Sequence, residues 1–265
     1  MDFAAVIWPF LCTVLAGATT AIGGAFAVSG KKPTAKTLSI GMGFSAGMLI
    51  YLSFAEVVPD SVSYFEKEAL GENSIWTAVG ILIIACALVA LIGRLLPCRD
   101  IHHEHAQQHT VCEASTIYKT GIAAMAAIAL HNATEGIAVF LMVLNNPTLG
   151  LPLIFSIAMH NIPCGVAIAI PIYAATDDRK RAVLMSLKCG LFTPLGAALA
   201  VLAVNLILSN FVLGIIMAVV GGVMVATAAF ELYPASKKYE RGGHTSLSAA
   251  LGGVALMALL LAVSG

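Results

Sequence analysis

Charged residues are scarce in this sequence, and neither sign is in excess. Only 11% of the 265 residues are Asp, Glu, Lys or Arg, whereas an ordinary soluble domain has roughly a quarter. Fourteen basic residues balance fourteen acidic residues, so the chain lacks the basic surface that binds nucleic-acid phosphates. This composition argues against a soluble globular enzyme, and nucleic acid is not an expected partner.

Two common motifs are also missing. The sequence has no GxxxxGKS or GxxxxGKT phosphate-binding loop, so nucleotide hydrolysis through that motif is not predicted. Its six cysteines form no CxxC pair, and most lie in apolar segments, where cysteine behaves as a small hydrophobic residue. The cysteines therefore indicate neither a redox motif nor a disulfide framework.

Long apolar runs are what the sequence has instead. Hydrophobic residues make up 59% of the chain, and the mean hydropathy is +0.93. A helix needs about 20 apolar residues to cross the hydrocarbon core of a bilayer. Eight segments meet this requirement: about 3–28, 37–58, 74–96, 120–144, 149–175, 182–208, 211–233 and 246–264. We predict an all-α integral membrane protein, a single domain over residues 1–265, in which these eight spans are transmembrane helices.

The placement of charge predicts the orientation of the spans. Thirteen of the fourteen Lys and Arg residues lie in or beside the connections after spans 1, 3, 5 and 7, and only Lys67 lies on the other side. Because positively charged loops stay in the cytosol, we expect both termini outside the cell membrane, with bilayer lipid around the spans. Four acidic residues lie at the outer end of span 2 and after it: Asp60, Glu66, Glu68 and Glu72. Their charge attracts cations.

Two pairs of spans repeat each other in opposite orientation. Spans 2 and 7 match without a gap at Gly47, Glu56, Pro59 and Ser61 against Gly222, Glu231, Pro234 and Ser236. Spans 1 and 6 share a weaker match, Gly17, Thr20 and Gly23 against Gly190, Thr193 and Gly196. We therefore predict that spans 1–3 and 6–8 form an inverted repeat around spans 4 and 5, an arrangement typical of transporters.

Spans 4 and 5 each carry a polar motif near the centre of the membrane. The polar residues are His131, Asn132 and Glu135 in span 4 and His160, Asn161 and Cys164 in span 5. An ionisable group at this depth costs about 2.5–3.5 kcal/mol on insertion scales, so such groups normally face the protein interior and serve a function. The alternative is that they only join helices through hydrogen bonds.

The spacing of these motifs places the two histidines at one depth. His131 and His160 each lie fourteen residues from the turn at Asn145 and Asn146, which is about 21 Å along a helix. Residues four apart share a helix face, so one Glu and one Cys join the two imidazoles. This donor set suits four-coordinate zinc, and the two motif asparagines are expected to add carbonyl oxygens or to orient the ligands.

Taken together, the chain resembles the ZIP (Zrt-, Irt-like protein) family of divalent-metal transporters, above all its bacterial ZupT-like and GufA-like branches. The resemblance covers essentially the whole chain: eight spans in a 3+2+3 arrangement, His-Asn-x-x-Glu-Gly in span 4 and His-Asn-Ile-Pro-x-Gly in span 5. The primary metal site that it implies consists of His131, Glu135, His160 and residue 164, with Asn132 and Asn161 turned toward an adjacent second site. Zinc is then a transported substrate, and no prosthetic group is implied.

Two positions depart from the family pattern. The family usually has Glu where this chain has Cys164, and often another Glu in span 6 where this chain has Thr193. A soft thiolate in place of a hard carboxylate favours zinc over iron and manganese. The second, carboxylate-rich site is therefore expected to be weakened or lost.

Further candidates lie along the pathway and in one loop. Glu56 and Glu231, together with Thr193, are predicted pathway residues, although the two glutamates also fit ordinary interfacial charges. The predicted cytosolic loop 97–118 holds four histidines: His102, His103, His105 and His109. This loop resembles the His-rich loop of ZIP proteins, which implies capture or sensing of transported metal, and a plain solvated loop is the alternative.

The leading functional hypothesis is transport of a divalent metal, most of all zinc, into the cytosol. One alternative is an intramembrane metalloenzyme of the hydrolase type, whose metal activates water. Another is a membrane metal sensor that does not conduct. The inverted repeat favours transport, and the sequence leaves monomer and homodimer both open.

Overall fold

The computed structural model describes residues 3–68, 71–95, 106–203 and 209–264. Within these ranges, eight helices are long and apolar enough to cross a membrane. We number them α1 (Phe3–Val28), α2 (Ala35–Lys67), α3 (Asn73–Leu95), α4 (Ala106–Asn145), α5 (Gly150–Thr176), α6 (Arg179–Gly190 and Phe192–Ala203), α7 (Asn210–Lys238) and α8 (Thr245–Ser264). The prediction of an all-α integral membrane protein is confirmed.

Three helices continue beyond the predicted spans. α2 and α7 run past the apolar core to Lys67 and Lys238, and α4 begins at Ala106, so residues 106–118 of the predicted loop are helical. Hydropathy marks a span only as far as its apolar run, whereas a helix continues while one face stays packed. In the extension of α2, for example, Ser61 and Phe65 are buried although the segment is polar.

Side-chain caps fix where three of the helices begin. Thr34, Asp178 and Ser209 each accept a hydrogen bond from the backbone N–H three residues later, at 3.2, 2.9 and 3.3 Å. Such caps satisfy backbone donors that the first turn of a helix leaves free. The starts of α2, α6 and α7 are therefore set locally by the sequence.

Helices α2 and α7 share the same irregularity. Each contains a π-helical segment, Ser53–Val57 in α2 and Thr227–Leu232 in α7. Just after each segment, Val58 and Tyr233 donate their backbone N–H to the carbonyl five residues earlier. Each segment contains the repeated glutamate and ends two residues before the repeated proline, a residue that disturbs regular helical bonding. Such π segments often occur at functional positions.

Two buried hydrogen bonds repeat one contact in opposite directions. The hydroxyl of Ser61 donates to the carbonyl of Gly214 at 2.7 Å, and that of Ser236 donates to the carbonyl of Ser39 at 2.6 Å. The gapless alignment of spans 2 and 7 pairs Ser61 with Ser236 and Ser39 with Gly214. Both helices are thus tied to each other by symmetry-related bonds.

Helices α1 and α6 cross at a pair of matched glycines. A Cβ atom on Gly17 would collide with the carbonyl oxygen of Gly190, and one on Gly190 would collide with that of Gly17. Small residues allow membrane helices to approach this closely, and a reciprocal contact is what a two-fold axis produces. The weaker sequence match between spans 1 and 6 therefore reflects a real structural repeat.

The same symmetry relates α4 to α5. Gly136 in α4 packs against the carbonyl of Thr193, and Gly165 in α5 packs against the carbonyl of Thr20. Thr20 and Thr193 are matched residues of spans 1 and 6. The inverted repeat is confirmed, and it includes the two helices that the sequence analysis left between its halves. The residue pairs that it relates are His131 with His160, Asn132 with Asn161, and Glu135 with Cys164.

Candidate metal site

The two predicted histidines lie side by side in the interior. The ring centroids of His131 and His160 are 5.9 Å apart, with their planes inclined at 53°. Each residue is only 3% exposed. His131 and His160 lie at the same depth, as their spacing predicts, because α4 and α5 run antiparallel from the turn that joins them.

A glutamate from α2 completes a group of potential metal ligands. Among the residues that the structure describes, Glu56, His131 and His160 form the one group of three whose donor atoms all lie within 4.8 Å of one another. From the sequence, Glu56 is predicted only as a pathway residue. Its repetition as Glu231 was the available signal, but a repeat does not tell which copy reaches the histidines.

Several donor atoms of this group have no partner. Both ring nitrogens of His131 and Oε2 of Glu56 are buried, and none has a hydrogen-bond partner among the described residues. A buried polar atom without a partner is costly, so it usually indicates a bound ligand or water. Imidazole nitrogens and carboxylate oxygens are zinc donors, and this donor chemistry fits a divalent metal as the ligand.

Glu135 is engaged by helix α5. Its Oε1 lies 2.6 Å from Nε2 of His160, and its Oε2 accepts a hydrogen bond from Nδ2 of Asn161 at 3.5 Å. The carboxylate is therefore directed at the opposite helix rather than at His131 one turn away on its own helix. This arrangement orients His160 and keeps a second carboxylate beside the group formed by Glu56, His131 and His160.

Asn132 contacts a residue that the sequence analysis missed. Its Nδ2 donates to the carbonyl of Cys189 in α6 at 3.2 Å and lies 3.9 Å from the sulfur. Cys189 has no motif around it, so no sequence signal pointed to it. Oδ1 of Asn132 and Oδ1 of Asn161 are buried without a partner in the described ranges, which leaves both carbonyl oxygens available to a ligand.

The remaining described candidates are not members of the three-residue group. Cys164 and Thr193 are fully buried, and the hydroxyl of Thr193 has no partner within the described part of the chain. Glu231 is partly buried in the π segment of α7. His102, His103 and His105 lie outside the described residues, and so does the side chain of His109, whose backbone is in α4. The roles assigned to all of these residues stay predictions.

One cavity in the described part of the molecule reaches the group. It has a volume of about 220 Å³, and Glu56, His131, Glu135 and His160 line its inner part. Its other lining residues include Asp60, which lies toward the end of α2 that leads into α3. The cavity therefore opens toward the connections after α2 and α4, the side on which the sequence places the acidic residues.

Eight membrane helices in an inverted repeat, with a polar site at the crossing of the central pair, define the class of inverted-repeat membrane transporters. The sequence profile described as "ZIP Zinc transporter" matches residues 94–261. The chain therefore belongs to the ZIP zinc transporter family. This confirms the resemblance seen in the motifs.

Full-length relatives agree with this assignment. The chain is 35% identical to a protein named zinc transporter ZupT from Corynebacterium aurimucosum, over 99% of each chain. It is 36% identical to proteins of the same name from Chlorobium luteolum and Oceanobacillus iheyensis, in both cases over 95% of this chain and 96% of the relative. These relatives are named as transporters of zinc and not as enzymes, so zinc is their substrate rather than a prosthetic group.

Proposed function

We propose that this protein carries divalent metal ions, zinc above others, from outside the cell membrane into the cytosol. The observation that supports this most directly is the group of Glu56, His131 and His160, which lines a cavity. Both ring nitrogens of His131 and Oε2 of Glu56 are buried there without a partner among the described residues. The names of the relatives supply the choice of zinc. The basic connections after spans 1, 3, 5 and 7 support the direction, because such connections are typical of the cytosolic side, opposite to the cavity mouth and both termini.

Each residue of the site has a distinct role in this proposal. His131 and His160 supply imidazole nitrogens, and Glu56 supplies a carboxylate oxygen from α2. Glu135 is hydrogen-bonded to His160, so it can hold that ring in place or become a fourth ligand, which completes the tetrahedral set that zinc prefers. Cys164 lies one turn further along α5 and offers a soft donor for the next step toward the cytosol.

The inverted repeat supplies the means of release. The two-fold symmetry exchanges His131 with His160 and Glu56 with Glu231, so the histidine pair is common to both halves. In the arrangement that opens to the other side, Glu231 takes the position beside the histidines that Glu56 has here. Alternating exposure of one site between two repeats is the mode expected of such folds.

Transport by the purified protein in liposomes tests the proposal. A zinc-sensitive dye trapped inside should report saturable uptake when zinc is added outside, and protein-free liposomes should report only leakage. Zinc binding without uptake would instead indicate a sensor. Metal-dependent hydrolysis without uptake would indicate an enzyme.

Orientation is tested separately in intact cells. A protease-cleavable tag on either terminus should be removed by protease added outside. Protection of both tags in intact cells, with cleavage after lysis, would reverse the predicted topology.

A further inference from the structure

A second cavity lies at the mouth of the first. It has a volume of about 330 Å³, and both cavities are lined by Asp60, Ala138 and Met142. Tyr64 and Lys67 line only the outer cavity, whereas the metal-ligand group lines only the inner one. Asp60 therefore stands where a solute passes from the outer cavity to the inner one.

Carboxylates are spaced along α2 between this point and the histidines. Asp60 follows Glu56 by four residues, just after the π segment of α2. Both line the inner cavity together with His131, whose buried ring nitrogens have no partner in the part of the chain that the structure describes. A cation that leaves Asp60 thus meets Glu56 next and then the imidazoles.

One basic side chain, that of Lys67, lines the outer cavity. Lys67 is the only Lys or Arg that the sequence places on this side, and its ammonium lies 5.1 Å from the centroid of the Tyr64 ring. Lys67 and Asp60 line the same outer cavity, so the charge of the ammonium acts on the carboxylate. The ring of Tyr64 offers the ammonium a favourable position. From this position its positive charge competes with any other cation for the Asp60 carboxylate.

We propose that Asp60 is the first binding position for an incoming divalent cation and that Lys67 limits the occupancy of this position. A divalent cation outcompetes the ammonium for Asp60 because its charge is larger, and the ammonium stays over Tyr64. A monovalent cation has no such advantage, so Lys67 also selects against it. This inference depends on the proposed inward direction of transport.

Charge-neutralising variants of the full chain in liposomes test the inference. Asp60→Asn should raise the zinc concentration for half-maximal uptake by about two- to fivefold, and Lys67→Gln should lower it by a similar factor, the range expected for exposed charge pairs. In the Asp60→Asn background, Lys67→Gln should have no further effect. Glu66→Gln is the matched control, because Glu66 is an exposed neighbour of Lys67 that lines neither cavity.

Two results would overturn the inference. One is that Lys67→Gln leaves the zinc concentration for half-maximal uptake unchanged, or lowers it equally in the wild-type and Asp60→Asn backgrounds. The other is an effect of Glu66→Gln as large as that of Asp60→Asn, which would indicate only general surface charge. Zinc titration by calorimetry in detergent, with the same variants, repeats the comparison without transport. Absence of uptake in the wild type would therefore refute the proposed function while the binding data still decide on Asp60 and Lys67.

Discussion

The two symmetry-related halves of the proposed metal site have the same backbone but different side chains. In one half, Glu135 lies 2.6 Å from His160. In the other half, the corresponding residue is Cys164, and the nitrogens of His131 have no partner among the described residues. The helices pack alike in both halves because glycine and serine contacts hold them together. Packing symmetry therefore does not require ligand symmetry, and the ligands are free to differ.

A second difference involves two identical residues. Glu56 and Glu231 occupy equivalent places in the π segments of α2 and α7. Only Glu56 has its carboxylate within 4.8 Å of the donor atoms of both histidines. Here the chemistry is the same and the position differs, which is what we expect when one of two symmetric helices faces an open cavity.

The largest effect is expected from removing either imidazole. His131→Ala and His160→Ala should each reduce zinc uptake to the level of protein-free liposomes, because the histidine pair is the part of the site that both halves share. Uptake into liposomes measures the loss. His244→Ala is the control, since His244 is an exposed histidine in the connection between α7 and α8. Wild-type uptake in either site variant, with correct membrane insertion, would exclude the site.

A large but one-sided effect is expected from the glutamate pair. Glu56→Gln should weaken zinc binding from outside by at least about tenfold, because even the loss of a residue that only supports a ligand commonly costs this much. Glu231→Gln should leave binding from outside close to normal and impair release to the cytosol. Initial rates of uptake and of counterflow in oriented vesicles separate these steps. Equal weakening of outside binding in both variants would contradict the positional difference.

A moderate effect on stability tests the shared backbone. Gly136→Ala and Gly165→Ala each place a methyl group against a backbone carbonyl of the neighbouring helix, and overpacking of this kind costs about 1–3 kcal/mol. Both variants should therefore unfold at lower temperature in detergent, by similar amounts. Gly80→Ala is the matched control, because nothing lies within 4 Å of the added methyl group. If both Gly136→Ala and Gly165→Ala keep the wild-type melting temperature, the contacts of α4 with α6 and of α5 with α1 tolerate the added methyl group.

The smallest effect, a change of selectivity, is expected at Cys164. Cys164→Glu gives the α5 half the carboxylate that the α4 half already has, so uptake should broaden toward iron and manganese as the donor becomes harder. Cys164→Ser should weaken zinc binding, since a neutral hydroxyl is a poor replacement for a thiolate. Competition uptake with zinc, cadmium, iron and manganese measures both changes. If Cys164→Ser matches the wild type for every metal, the thiol is only a packing residue.

Much of the site's framework could be predicted from the sequence because it depends on spacing along a helix. The number of spans follows from apolar length, and the equal depth of His131 and His160 follows from their equal distance to one turn. The repeated Gly, Glu, Pro and Ser of spans 2 and 7 indicated the inverted repeat. These are local or periodic properties, so a single chain read in order contains them.

Only the tertiary structure decided which side chains meet. It directed Glu135 to His160 on the opposite helix, brought Glu56 rather than Glu231 to the histidines, and placed Cys189 against Asn132. It also showed that the two-fold symmetry includes α4 and α5. These features depend on how far each helix is rotated and shifted against its neighbours, which is set by close glycine contacts and π segments. The number of residues between two positions does not tell how far a helix is rotated or shifted.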